Sequence, residues 1–290
     1  MRLLTWATPD GERLAVATHG DAVADVDDLI GGGPWTMARL LTDVDGTLAA
    51  IRRGLALGHA VPTRARAEVA VLPPVTRPGK VIAVGRNYHE HAAEEGQTVP
   101  ADPILFAKFP SSLVGDGADI VWRAADTGQV DYEAELAVVI GRTARDIPVS
   151  QALDHILGYT CLNDVSARDL QFGDGQWVRG KSLDTFCPIG PWIVTADELT
   201  DPGTLRIRCL VNGEVVQDAR TSEMVHDVSH LIAFCSRFMT LDPGDVIATG
   251  TPGGVGVFRD PPRFLRDGDE VVVDIDGIGR LANRCRVIDD

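Results

Sequence analysis

The chain has 290 residues and a formal net charge of −15, with 44% hydrophobic and 24% charged residues. This length suffices for one large or two modest domains with a substantial core, and the composition is typical of globular proteins. The negative charge argues against nucleic acid or an anionic membrane surface as a partner. No apolar run approaches the ~20 residues of a membrane span, and the N-terminus does not resemble a signal peptide.

The first 72 residues are expected to form a small N-terminal α+β domain. Its predicted elements are two strands and two short helices, at residues 3–6, 13–18, 35–41 and 48–57. Three prolines within residues 72–79 cannot continue a helix or a central strand. We therefore expect a boundary here, followed by a second domain over residues 73–290.

Strands predominate in this second domain. They are predicted at residues 81–85, 104–108, 120–122, 130–140, 205–211, 214–218, 269–275 and 279–287. Asn212-Gly213 is typical of a hairpin turn, and residues 225–239 carry apolar side chains at helical spacing. Because strands do not alternate regularly with helices, we expect an α+β or mainly β fold and not a doubly wound parallel sheet.

The five cysteines are scattered and form no Cys-x-x-Cys pair. Most lie in apolar runs, which is typical of buried, reduced thiols. We therefore expect a cytoplasmic protein. The cysteines are Cys161, Cys187, Cys209, Cys235 and Cys285.

Three acids suggest a metal site. Glu133 and Glu135 lie in the predicted strand 130–140, where side chains at i and i+2 leave the same face. Asp164 follows a second apolar run, residues 156–162. Carboxylates that converge in apolar surroundings repel each other unless a cation joins them, and oxygen ligands suit Mg²⁺ or Mn²⁺. The alternative is an edge strand whose acidic face lies in water.

Two motif matches are rejected on their context. Residues 175–182 fit the phosphate-loop pattern G-x-x-x-x-G-K-S, but no long helix can follow because Pro188 and Pro191 come next. Asp43 and Asp45 resemble the nucleophile motif of haloacid-dehalogenase-type phosphatases, but a helical segment precedes them instead of a strand. A turn with a helix cap is the preferred interpretation of this second motif.

A third cluster, residues 85–96, contains a candidate general base. If His91 opens a helix, His91 and Glu94 lie at i and i+3 on one face and can touch. A carboxylate that orients a neutral imidazole makes it a better base. The alternative is an exposed, charged helical turn.

Taken together, these motifs resemble the fumarylacetoacetate hydrolase family, and the match extends from Pro78 to the C-terminus. The first 72 residues are similar to the small N-terminal domain of many bacterial members. The shared motifs are VGRNY at 84–88, HAAE at 91–94, YEAEL at 132–136, NDVSARDLQ at 163–171, GKSLD at 180–184, VNGE at 211–214 and GDVIATGTPGGVG at 244–256.

The resemblance implies a mixed β-roll catalytic domain that is usually dimeric and uses Mg²⁺ or Mn²⁺. It implies that the metal ligands are Glu133, Glu135 and Asp164. It also implies that His91 with Glu94 is the base that activates water, on a segment that orders as a lid, and that Lys181 lies beside a developing enolate. The implied substrate-binding or supporting residues are Arg86, Arg168, Gln171 and Thr251. The further aspartate that the longer eukaryotic branch places on the metal has no counterpart at the start of residues 85–88.

The implied activity is metal-dependent hydrolysis of a C–C bond in a small acylpyruvate-like 1,3-dioxo acid. Oxaloacetate decarboxylation and 2-hydroxyhepta-2,4-diene-1,7-dioate isomerisation need the same enolate stabilisation and remain open alternatives. A non-enzymatic member of the family is a further alternative, which the intact site residues argue against. The last alternative, a phosphatase built on Asp43 and Asp45, predicts phosphate release.

Overall fold

The computed structural model describes residues 1–18, 22–57 and 61–289. The strands of the N-terminal part are β1 (Arg2–Thr8), β2 (Gly11–Ala17), β3 (Ala22–Asp25), β4 (Arg64–Ala65) and β5 (Ala70–Leu72). Its helices are α1 (Val26–Ile30), α2 (Met37–Leu40) and α3 (Val44–Ala56). The Asp43 side chain caps α3 by accepting a hydrogen bond from the N–H of Gly46, as the cap interpretation predicts.

The remainder of the chain is rich in strands. These are β6 (Val81–Gly85), β7 (Ile104–Lys108), β8 (Leu113–Val114), β9 (Asp119–Arg123), β10 (Val130–Asp131), β11 (Ala134–Ile140), β12 (Ile156–Asn163), β13 (Ser166–Ala167), β14 (Cys187–Thr195), β15 (Arg206–Val211), β16 (Glu214–Arg220), β17 (Val246–Ala248), β18 (Glu270–Ile275) and β19 (Gly279–Ile288). The helices are α4 (His89–Glu94), α5 (Arg168–Asp174), α6 (Val178–Lys181) and α7 (Val228–Phe238). Among the described residues, no helix is long and apolar enough to cross a membrane.

The described strands form two main sheets and one small pair. The larger sheet has the order β4-β3-β2-β1-β14-β12-β11-β17-β6-β7, with β5 added to β1 and β8 added to β14. The smaller sheet has the order β16-β15-β18-β19-β9, and β10 pairs with β13. Both main sheets are mixed, because β17 runs parallel to β6 and β19 runs parallel to β9.

Strand β11 lies at the centre of the core because both of its faces are buried. Leu136, Val138 and Ile140 belong to the hydrophobic cluster that reaches the smaller sheet, whereas Ala137 and Val139 belong to the cluster beneath α3. A strand covered on both faces needs a continuous apolar run, and residues 136–140 supply one. The five cysteines, all within the described ranges, are buried free thiols.

The N-terminal part extends the sheet of the larger part. Strand β1 pairs antiparallel with β14, with Arg2 opposite Val194 and Leu3 opposite Ile193.

The boundary between residues 72 and 73 stays a prediction. The predicted continuous strand 130–140 differs from the structure, in which Tyr132 and Glu133 separate β10 from β11.

Candidate active site

The three acids of the predicted metal site meet where β11 begins and β12 ends. Antiparallel pairing places Ala134 opposite Asn163, so the residues that flank this pair lie side by side. The backbone N–H of Asp164 donates to the carbonyl of Glu133 at 2.9 Å. One carboxylate oxygen each from Glu133, Glu135 and Asp164 lies within 4.8 Å of the other two, and all three residues are buried.

Two cations hold Glu133 in its charged form. The Nζ of Lys181 donates to Glu133 Oε2 at 2.8 Å and to Asp164 Oδ2 at 2.9 Å. Arg168 Nη1 lies 2.7 Å from Glu133 Oε1. Burial raises the pKa of Glu133, but Lys181 and Arg168 oppose burial and lower this pKa below its usual range.

Of the three acids, Glu135 is the one that no lysine or arginine among the described residues pairs with. Its Oε2 accepts a hydrogen bond from the N–H of Gly250 at 2.8 Å. Burial, followed by the charges of Asp164 and Glu133, raises the pKa of Glu135 well above its usual range. A cation at this position would relieve the repulsion. Three buried oxygen donors that need a further positive charge fit a hard divalent ion such as Mg²⁺ or Mn²⁺.

Lys108 at the end of β7 is a second buried ammonium group, and none of the sequence motifs contains it. Its Nζ donates to Asp164 Oδ1 at 2.5 Å, to the carbonyl of Val165 at 3.3 Å and to the carbonyl of Lys181. The residue is 1% exposed. The only signal in the sequence is a lysine that ends the otherwise apolar strand ILFA at residues 104–107.

The candidate base lies on α4 between two acids. His91 is buried, and its Nδ1 has no hydrogen-bond partner among the described residues. Glu94 Oε2 lies 3.8 Å from Nδ1, whereas Glu95 Oε1 lies 3.3 Å from Nε2. The predicted pairing at i and i+3 is thus looser than a pairing at i and i+4 with Glu95, which sequence reasoning missed. Glu94 Oε1 instead accepts from the N–H of Gly254 at 2.8 Å.

Arg168 is fixed in the site by a buried acid that sequence reasoning also missed. Asp131 accepts from Arg168 Nε at 2.9 Å and from the backbone N–H groups of Gly256 and Val257 at 2.8 Å and 3.0 Å. Arg168 Nη1 donates to Gln171 Oε1 at 3.0 Å. The available signal was a third acid at the i−2 position relative to Glu133.

Seven of the ten predicted site residues line one cavity, and the other three contact members of that set or of its acid cluster. The lining residues are Arg86, His91, Glu133, Arg168, Gln171, Lys181 and Thr251. The cavity volume is about 20 Å³, which is room for about one water molecule. The Trp177 ring helps to fill the space, since it packs so closely on Gly85 that an added Cβ would lie 2.6 Å from it. A substrate can enter only if part of this wall moves.

The rejected motifs have other roles in the structure. Residues 178–181 form the short helix α6, which places Lys181 among the acids. Asp45 forms a surface ion pair with Arg142 at 2.6 Å, with both side chains exposed. Neither segment has the strand-to-helix form that phosphate binding by such motifs requires.

The comparison with known proteins identifies the family. Residues 80–286 match the family model described as fumarylacetoacetate (FAA) hydrolase C-terminal. The mitochondrial oxaloacetate tautomerase FAHD2A of Homo sapiens is 46% identical over 289 residues, which cover 98% of this chain and 91% of that protein. The chain therefore belongs to the fumarylacetoacetate hydrolase family and is an enzyme of that family with its mixed-sheet fold.

Two solved structures show the range of chemistry among its relatives. Maleylpyruvate hydrolase from Sphingobium sp. SYK-6, in complex with manganese(II) and pyruvate, is 37% identical with a TM-score of 0.82 and 99% coverage of both chains. The 2-hydroxyhepta-2,4-diene-1,7-dioate isomerase from Mycobacterium marinum is 39% identical with a TM-score of 0.77, covering 99% of this chain and 98% of that one. The manganese complex and the acid cluster together support a divalent metal.

Proposed function

We propose that this enzyme interconverts the keto and enol forms of a small 2-oxo dicarboxylic acid of the oxaloacetate type. One observation carries the proposal: a buried imidazole with an unpartnered nitrogen, His91, lines the same small cavity as Glu133 and Lys181. Tautomerisation needs one group that takes a proton from carbon 3 and one that stabilises charge on the carbonyl oxygen. The similarity to oxaloacetate tautomerase over nearly the whole chain supports the choice of substrate.

The metal-binding residues in this proposal are Glu133, Glu135 and Asp164. A divalent cation bound there would polarise the 2-oxo carbonyl as a Lewis acid. Lys181 is well placed to assist, because burial opposes its charge but Asp164 and Glu133 raise its pKa above the usual value. Its ammonium group is therefore charged and can donate a hydrogen bond to the oxygen on which negative charge develops.

His91 moves the proton. The tautomer that this step uses carries its proton on Nε2, the nitrogen 3.3 Å from Glu95 Oε1, and has its lone pair on Nδ1. Nδ1 takes the proton from carbon 3, and the electron pair of that C–H bond forms the double bond between carbons 2 and 3. The electron pair of the C=O bond moves to the carbonyl oxygen, which takes a proton from water. The hydroxide that remains takes the proton from Nδ1, so that the enol is complete and the imidazole regains its starting form. The reverse steps return the keto form.

Hydrolysis of an acylpyruvate-type C–C bond is the second candidate, and the manganese-bound maleylpyruvate hydrolase supports it. A divalent cation held by the same acids, together with Lys181, would stabilise the enolate that leaves, while His91 would deprotonate water instead of carbon. A homodimer stays a prediction under either candidate.

The products formed decide between the two candidates. Purified protein with Mg²⁺ or Mn²⁺ is supplied with oxaloacetate, to follow the enol absorbance and CO₂ release, and with acylpyruvates, to follow cleavage. We expect tautomerisation to have the highest kcat/KM, and His91→Ala to lower it by roughly 10²–10⁴-fold, the usual size for one general base. Asp45→Asn is the control and should match the wild type in this assay and in phosphate release. Faster cleavage of an acylpyruvate would overturn the proposal in favour of hydrolysis.

A further inference from the structure

Arg86 presents unused hydrogen-bond donors at the cavity. It follows β6 with a φ of 57°, a backbone conformation that residues with side chains seldom adopt. Its Nε donates to Glu95 Oε2 at 2.6 Å, and its guanidinium lies 5.8 Å from the centre of the Trp177 ring. Among the residues that the structure describes, its two terminal nitrogens have no hydrogen-bond acceptor. This leaves the planar end of the guanidinium for a ligand.

The other two cations in the cavity wall each face two carboxylates. Arg168 faces the carboxylates of Asp131 and Glu133, and Lys181 faces those of Glu133 and Asp164. Arg86 faces one carboxylate, that of Glu95, and its side chain is 24% exposed. An anionic group that enters the cavity away from the acid cluster therefore meets Arg86, which faces a single carboxylate and whose terminal nitrogens have no acceptor among the described residues.

Glu95 connects Arg86 to the base. One of its oxygens accepts from Arg86 and the other lies 3.3 Å from His91 Nε2. A carboxylate shared between two donors binds each less strongly than it would bind one alone. A ligand carboxylate that shifts Arg86 off Glu95 leaves Glu95 to His91 alone, and a hydrogen bond from Nε2–H to Glu95 would then strengthen the base.

We infer that Arg86 binds the distal carboxylate of the substrate, and that Glu95 transmits this binding to His91. This inference rests on the proposed function and names the residue that would select the second carboxylate of its substrate. A planar guanidinium with two free nitrogens matches a carboxylate in a bidentate geometry. Acylpyruvates with an uncharged tail would lack both the contact and its effect on the base.

The test compares oxaloacetate with its 4-methyl ester, which keeps the 2-oxo acid end and loses the distal charge. Exchange of the carbon-3 protons with D₂O is followed by NMR for both compounds with Mg²⁺ present. Because the ester differs in intrinsic acidity, the measured quantity is the diacid-to-ester ratio of kcat/KM in each variant relative to the wild type. Arg86→Gln should lower this ratio by roughly 10–100-fold, the size of a lost charge-assisted hydrogen bond. Arg86→Lys should have a ratio between those of the wild type and Arg86→Gln.

Glu95→Gln separates positioning from substrate binding. It should lower kcat for both compounds while the KM for oxaloacetate changes little, because Arg86 remains free to bind. Arg179→Gln, which removes an exposed arginine paired with Asp174, is the matched control and should leave the ratio unaltered. A ratio in Arg86→Gln equal to that of the wild type would overturn the inference.

Failure of the proposed function would be visible separately. Binding of both compounds to the Mn²⁺-loaded protein is measured by calorimetry alongside the exchange assay. If the wild type exchanges neither compound, the tautomerase proposal is wrong, and the affinity ratio in the wild type and Arg86→Gln still decides the role of Arg86. If the ratio of oxaloacetate affinity to ester affinity is equal in the wild type and Arg86→Gln, Arg86 does not bind the distal carboxylate.

Discussion

The ammonium nitrogen of Lys108 lies 2.5 Å from Oδ1 of Asp164, and neither side chain is accessible to solvent. The same nitrogen also donates to the carbonyl of Lys181, so one buried cation fixes both a candidate metal ligand and the end of α6. Lys108→Met should destabilise the protein by about 3 kcal/mol, because removing one partner of a buried pair leaves the other charge under-compensated. Denaturant unfolding measures this change.

The control for Lys108→Met is a variant that breaks a surface ion pair. Arg206→Met removes an arginine whose partner, Asp218, is exposed like the arginine itself, so the unfolding midpoint should barely move. Equal midpoint shifts in the two variants would mean that the buried lysine is dispensable to the fold.

Removal of any one of the three acids should abolish tight Mn²⁺ binding. Each acid supplies a buried anionic oxygen within 4.8 Å of the others, and two remaining carboxylates hold a hard ion only weakly. Calorimetric titration of Glu133→Ala, Glu135→Ala and Asp164→Ala with Mn²⁺ is the measurement, with Asp45→Asn as the control. Undiminished binding in all three variants would place the metal elsewhere.

Glu135 should make the stability of the metal-free protein depend on pH. Burial, then the charges of Asp164 and Glu133, raises the pKa of Glu135, so the folded state binds a proton that the unfolded state has already lost. The unfolding free energy of the metal-free protein should therefore fall as pH rises from the ordinary glutamate pKa towards the raised one. Mn²⁺ affinity should rise over the same range, because the metal binds the carboxylate.

Glu135→Gln is the matched control for this pH dependence. The amide keeps the shape of the side chain and cannot titrate, so the slope of unfolding free energy against pH should be smaller in this variant. Identical slopes with and without Glu135, measured by denaturant unfolding in a chelator, would contradict the assignment.

Residues 89–100 should act as a lid. The cavity of about 20 Å³ is too small for a diacid, and α4 forms the part of its wall that carries His91. None of residues 93–100 is buried, and segments with few buried contacts open readily. Amide hydrogen exchange across this segment should slow when oxalate and Mg²⁺ are added together, since closure excludes water from the site. Unchanged exchange despite proven oxalate binding would show that the segment is preformed.

Local patterns predicted much of the fold. The strands at 81–85 and 104–108 agree with β6 and β7, because turn residues bound short apolar runs on both sides. The Asn212-Gly213 hairpin adopts positive φ at both turn residues, as that dipeptide favours. The helix predicted over residues 225–239 is shorter in the structure, where α7 begins after the Asp227 cap.

Long-range partners account for what the sequence did not reveal. Lys108 meets Asp164 although β7 is an edge strand that β6 and β17 separate from β11, so no local pattern joins the two residues. Glu95 belongs to a segment that contains other acids, and nothing local marks it, instead of Glu94, as the closer partner of His91. Asp131 is held by Arg168, Gly256 and Val257, which are distant in the sequence. The break between β10 and β11 was also not predictable, because Tyr132 and Glu133 fit a strand pattern in the sequence but lie between the two strands in the structure.

The most direct measurement of the proposed activity is exchange of the carbon-3 protons of oxaloacetate with D₂O, followed by NMR in the presence of Mg²⁺. The tautomerase proposal predicts that wild-type protein accelerates exchange well above the buffer rate, and that His91→Ala and Asp164→Asn each remove most of this acceleration while remaining folded. Exchange at the buffer rate in Mg²⁺-loaded wild-type protein that binds oxaloacetate would contradict it.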